Sequence, residues 1–183
     1  MDVFARLGHE AGDAFRSIVE DELIDCEYRP NGWYDVFTTE ATREHGRRDA
    51  DLLREHGFEV DEYDGDGLRD REPAFNDAPI GAIHYAESAI ANPRQFVVGL
   101  GEAARAHGAT IRENAQVVKI LFDGGRFTGV RMVAGNTIEA DTLVLAAGVW
   151  STPMARAIGL RLPMEAGKGY HVKISPVPDG LST

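Results

Sequence analysis

Leu143, Val144, Leu145, Ala146 and Ala147 form an uninterrupted apolar run that stops at Gly148. A strand with one wet face alternates apolar and polar residues, so an unbroken run of this length predicts a strand buried on both faces inside a parallel sheet. A sheet covered on both sides belongs to α/β architecture, and this segment therefore constrains the fold more than any other. The 183 residues, 43% hydrophobic and 27% charged, are enough for a domain or a little more and lie far from the composition of disordered chains.

The surrounding pattern extends this to a mixed α/β fold. Thr110–Arg112, Gln116–Phe122, Phe127–Val133 and Thr137–Ala140 read as short strands separated by the turn signals Asp123-Gly124-Gly125 and Gly135-Asn136, which makes a β-meander. A further strand is expected at Tyr170–Ser175. Near the start, apolar residues at Leu7, Ala11, Ala14, Phe15, Ile18, Val19 and Leu23 predict an amphipathic helix over Ala5–Ile24. Trp33–Phe37 reads as a strand. Thr38 or Thr39 then caps a helix that runs to about His56 and closes at Gly57. Asp64–Arg71, polar with two glycines, reads as a loop, and Ile80–Tyr85 as a strand. Asn92-Pro93 opens a helix that runs to His107 and stops at Gly108, with Asn as cap and Pro at the first helical position.

Charge and cysteine content exclude several functions. Residues 1–72 hold 21 acidic and 9 basic side chains, a net of −12, whereas residues 73–183 hold 9 and 10, a net of +1. An acidic first part repels phosphate backbones, and no basic cluster interleaved with aromatics follows it, so nucleic acid is not an expected partner. Cys26 is the single cysteine, which leaves no internal disulfide and no Cys/His zinc set and favours a cytoplasmic location. No apolar run is long enough to span a bilayer, and the first residues lack a signal-peptide layout.

Single motifs carry little chemistry. Gly99-Leu100-Gly101-Glu102-Ala103-Ala104 matches the G-x-G-x-x-A phosphate loop, but only Phe96 to Val98 separate it from the Pro93 helix start. Phe96, Leu100, Ala103 and His107 keep helical register across the glycines. The segment is expected to be helix, and replacing Gly99 or Gly101 with Ala to stabilise it slightly. Glu62, Asp64, Asp66 and Gly67 imitate the start of a calcium loop, but the twelfth position counted from Glu62 is Pro73 and the closing carboxylate is missing. The histidines show no metal-binding spacing, no Ser sits in a G-x-S-x-G elbow, and Cys26 has no evident base nearby. No catalytic set and no metal site is visible.

Two segments together say more. Gly108 to Val117 is a helix end running into a strand. Ile138 to Ser151 is a strand leaving the meander for an Ala146-Ala147-Gly148 corner, where small side chains let a pyrophosphate or ribose approach the backbone. The order Glu72-Pro73, Asn92-Pro93, Gly108-Ala109, Val117, the meander, Ala146-Ala147-Gly148-Val149-Trp150-Ser151, Gly159-Leu160, Leu162-Pro163 and Lys168-Gly169-Tyr170 resembles the FAD-dependent amino-acid and amine oxidoreductases, the D-amino-acid dehydrogenase, glycine oxidase and sarcosine oxidase group. The resemblance is strongest from Leu68 to Ile174.

The resemblance implies a Rossmann-like FAD layer with its meander, joined to a substrate domain of mixed sheet and helices. Residues 1–87 would belong to the substrate part, 88–158 to the FAD part, and 159–183 to a return to the substrate sheet. It implies oxidation of the C–N bond of an amino acid or secondary amine. Val117 would meet the adenine through its backbone, and Ala147, Gly148 and Trp150 would lie near the ADP part. Lys168 matches a basic position of the family to which the resemblance attaches no role. Family members open with a strand, a glycine-rich loop and a helix that do not precede Met1, so this segment is expected to be a central portion, colourless and inactive alone. Its Leu143–Gly148 edge would be left partly uncovered, and is expected either to pair with a second copy or to be covered by rearranged local segments. Two alternatives stay open: another flavoenzyme of the superfamily, of the glycerol-phosphate dehydrogenase or tRNA-modifying oxidase type, and a non-catalytic binding or assembly module.

Overall fold

The computed structural model describes residues 2–172, 174, 176 and 179–181. The chain divides into two compact units.

The first unit holds the chain up to Ala109, together with residues near Gly180, whose carbonyl accepts the Ala74 N–H at 3.2 Å. Helix α1 spans Asp2–Asp21, followed by β1 (Trp33–Phe37), α2 (Glu40–Glu55), β2 (Val60–Asp64), α3 (Gly65–Arg71), β3 (Gly81–Tyr85) and α4 (Pro93–Ala106). The three strands form an antiparallel sheet in the order β1-β3-β2, with His84 of β3 opposite Tyr34 on one side and Asp61 on the other. Helix α2 packs on this sheet because Gly46 lacks a side chain where Phe37 and Ile83 press against it. Its start is capped by Thr39, whose hydroxyl accepts from Thr42 N–H, and it closes through Gly57 at φ +86°. Helix α4 opens as its sequence predicts, with Asn92 Oδ1 accepting the Gln95 N–H at 3.2 Å and Pro93 at the first position. A small core of Val19, Ile24 and Cys26 ties the end of α1 to Phe15, Tyr28, Ala91 and Phe96.

Of residues 64–71, expected as a loop, Asp64 ends β2 and caps the helix α3 that Gly65–Arg71 form. Asp64 Oδ1 accepts the Gly67 N–H at 2.8 Å, Arg69 and Arg71 complement the helix end, and fully buried Leu68 anchors the turn. The acidic strand β2 before it carries no strand signal in its sequence, because Asp61, Glu62 and Asp64 are poor strand formers. The edge position makes them tolerable, and pairing to β3 supplies the backbone hydrogen bonds. Gly99 also departs from expectation. A Cβ there would sit 2.6 Å from Ile24 Cγ2, so glycine is needed for the close approach of α4 to the core and Ala is not expected to stabilise this position.

The second unit spans Thr110–Val172. Strands β4 (Val117–Asp123), β5 (Arg126–Met132) and β6 (Thr137–Glu139) make the predicted antiparallel meander. Gly124, Gly125 and Gly135 take the positive φ that its turns require. A 3-10 turn, Gly148–Trp150, leads into α5 (Ser151–Ala157). Two expected strands are absent here. Thr110–Arg112 is irregular, and so is Leu143–Ala147, where Val144 is 81% exposed. A strand buried on both faces needs a hydrogen-bonded neighbour on each side, and among the described residues no strand pairs with this run. The expected strand at Tyr170–Ser175 lies partly outside the described residues; Tyr170, His171, Val172 and Ile174 are irregular, and Tyr170 and Val172 are largely exposed.

Candidate functional site

Three of the four expected cofactor-facing residues are brought into one turn. The chain leaves β6, passes irregularly through Leu143–Ala147 and turns at Gly148, whose φ is +55°. Ala147 N–H donates to Ser151 Oγ at 2.9 Å, and Trp150 N–H donates to the Ala147 carbonyl at 3.2 Å. Ser151, 3% exposed, thus locks the corner from the inside while Trp150 faces outward. Gly148 is favoured by its backbone alone: an L side chain is strained at this φ, while the space a Cβ would enter is open for 4 Å. Val117 lies on a separate element, the first residue of β4, opposite Met132, and takes no part in the hydrogen bonds that build the corner. Lys168 places its ammonium 5.2 Å from the Tyr170 ring.

The corner's chemistry is that of a backbone cradle. It holds no acid, base or nucleophile, and its polar groups are peptide N–H and C=O with one buried hydroxyl. Ser151 was part of the sequence motif but was not foreseen as its structural lock; the signal was its position four residues after Ala147, the spacing at which a hydroxyl reaches back to an N–H.

The imitation calcium loop dissolves in the structure. Glu62 accepts from Arg43 at 3.1 Å and Arg47 at 2.6 Å, Asp64 caps α3, and Asp66 pairs with Arg69. Among the described residues no group of three or more side chains is arranged to hold a metal ion. The G-x-G-x-x-A match lies inside α4 and not between a strand and a helix. Titration is perturbed on the sheet of the first unit, where burial and the neighbouring Asp35 carboxylate push Tyr85 up to about 12.

These features meet in a known family. The profile of the FAD dependent oxidoreductases matches residues 2–183, and the chain belongs to that family. A D-amino acid dehydrogenase of Methylobacterium nodulans is 27% identical over 177 residues, covering 95% of this chain and 42% of the relative; one from Cereibacter sphaeroides is 28% identical, covering 95% and 40%. Among solved structures, the glycine oxidase of Bacillus cereus superposes with a TM-score of 0.73 at 24% identity, over 82% of this chain and 42% of that one. The L-proline dehydrogenase of P. horikoshii gives 0.72 at 15% identity, over 84% and 41%. The chain spans about two-fifths of the length of the curated relatives it matches. No helix among the described residues is long and apolar enough to cross a membrane.

Proposed function

We propose that this chain is the central part of a cytoplasmic FAD-dependent oxidoreductase that oxidises the C–N bond of an amino acid or secondary amine. In this reading residues 1–87 and 159–183 serve the substrate side, and 88–158 the cofactor side. The observation that carries it is the open corner at Ala147-Gly148, built from the motif most characteristic of the resemblance. FAD supplies the two-electron acceptor for such an oxidation, and the protein supplies position and electrostatics. Ala147 and Gly148 leave the backbone approachable to the ADP part, and Ser151 holds that backbone in place. The exposed Trp150 indole offers a flat apolar face beside it, and the Val117 backbone meets the adenine. The names of the relatives, D-amino acid dehydrogenase and glycine oxidase, support an amino-acid substrate.

The same reading makes this chain colourless and inactive by itself. A phosphate-binding helix N-terminus is the usual offset for pyrophosphate charge, and the G-x-G-x-x-A segment here is committed to a helix interior. The net charge of −11 adds to the repulsion. The purified chain is expected to carry no flavin absorbance, and stoichiometric flavin would overturn this part. In a full-length protein containing this segment, Gly148→Val is expected to lower flavin content while Val118→Thr, at an exposed strand position, leaves it unchanged. Equal flavin content in both variants would refute the corner as a cofactor contact.

A further inference from the structure

The second unit contains a cavity of about 900 Å³ that the flavin reading does not use. It lies between α5 and the chain that returns from it, and its volume falls in the range of small-molecule sites. The return is fixed by the backbone. Gly159 takes φ +82°, its N–H donates to the Arg156 carbonyl at 3.1 Å, and the Leu160 N–H donates to the Ala155 carbonyl at 2.9 Å. Thr152 and Arg156, at helical i, i+4 spacing, share one face of α5, and the turn brings Arg161 to the same cavity.

Three donors thus line one cavity without an acceptor of their own. Among the described residues neither guanidinium enters an ion pair or a hydrogen bond. The Thr152 hydroxyl is shut off from solvent and has no hydrogen-bond partner. A buried hydroxyl is costly to leave unpaired, and native structures give such a group a water, an ion or a ligand. A guanidinium offers a planar fork of donors that matches the oxygens of an oxyanion. The charge around the cavity agrees. The whole chain has a net charge of −11, yet residues 151–172 hold 3 basic side chains and 1 acidic, so an anion meets less repulsion here than elsewhere. Glu165, the one acid in the cavity wall, leaves the two guanidiniums in excess. A free oxyanion fills only a small part of the volume, and Leu160 and Leu162 border the remainder.

We infer that this cavity binds an organic phosphate monoester, its oxygens held by Arg156, Arg161 and the Thr152 hydroxyl and its apolar body along Leu160 and Leu162. A monoester has three terminal oxygens, one for each donor, whereas a carboxylate has two and each bridged phosphate of FAD has two. The proposal concerns binding alone, goes beyond the flavin reading and does not depend on it.

The test titrates the purified chain with phenyl phosphate, inorganic phosphate and benzoate, read by calorimetry and by the ligand-induced shift of the melting curve. Phenyl phosphate is expected to bind about tenfold tighter than either of the others, because benzoate lacks the third oxygen and inorganic phosphate lacks the apolar body. Arg156→Gln and Arg161→Gln change exposed side chains and are each expected to lower its affinity about tenfold with an unchanged melting curve of the free chain. Thr152→Val keeps the shape and removes the unpaired hydroxyl. It is expected to raise the melting temperature of the free chain and to weaken phenyl phosphate about tenfold; a hydroxyl that is merely buried gives the first change without the second. Equal affinities for the three probes, no binding of phenyl phosphate at millimolar concentration, or an affinity unchanged in the two arginine variants would overturn the assignment, and an affinity unchanged in Thr152→Val would overturn the three-donor site.

Discussion

Gly99→Ala sets two physical effects of opposite sign against each other. In a helix interior Ala is favoured over Gly by about 1 kcal/mol, so propensity alone predicts stabilisation. The new Cβ, however, would stand 2.6 Å from Ile24 Cγ2 and 3.4 Å from Ile24 Cβ and Cγ1, and an ordinary carbon contact needs roughly 1 Å more than the shortest of these. Ile24 has little room to give. It is 7% exposed, its N–H donates to the Val19 carbonyl at 2.9 Å, and two residues on the Cys26 carbonyl accepts the Asn92 N–H at 2.7 Å. Its β-branched side chain resists rotation about χ1. Overpacking of such a site costs about 1–3 kcal/mol, which exceeds the helical gain, and the expected net loss is about 1 kcal/mol. Urea unfolding followed by circular dichroism measures it, and thermal melting should fall by about 2–4 °C. The cycle with Ile24→Ala isolates the cause. Removing Cγ2 clears the space, so in that background Gly99→Ala should stabilise by up to about 1 kcal/mol. Stabilisation of the parent chain by Gly99→Ala, or the same sign in both backgrounds, would show that the contact with Ile24 is not what demands glycine.

Two further outcomes follow from named groups. Tyr85, whose hydroxyl donates to Asp35 Oδ2 at 3.1 Å, has its pKa raised to about 12 in the folded chain against 10.0 ordinarily. The folded state holds that proton more tightly, so the associated stability is complete below about pH 10 and is lost as pH rises towards 12; urea unfolding across that window should show the decline, and Tyr85→Phe should reduce it. At the irregular Leu143–Ala147 run, where Val144 is 81% exposed, size-exclusion chromatography with light scattering is expected to show concentration-dependent association that Val144→Lys weakens; a chain monomeric at every concentration would refute association through this segment.

Local chemistry was legible in the sequence wherever a residue acts on its own backbone neighbourhood. Thr39 and Asn92 as caps, Pro93 at a helix start, Gly57 and Gly108 at helix ends and the glycines of the meander turns all stand where the sequence places them, because capping and positive φ are decided within a few residues. The Ala146-Ala147-Gly148 corner was visible for the same reason. Tertiary structure decided what depends on distant partners. The acidic segment Val60–Asp64 is a strand because β3 offers it an edge, and Leu68 turns a glycine-containing polar stretch into a helix by finding a buried site. Leu143–Ala147 has the composition of a buried strand and yet is irregular, since apolar character supplies the tendency to be covered and only a neighbouring strand supplies the hydrogen bonds. Gly99 shows the same division: its place in a helix follows from periodicity, and its need to be glycine follows from Ile24, 75 residues earlier in the chain and in contact only through the fold.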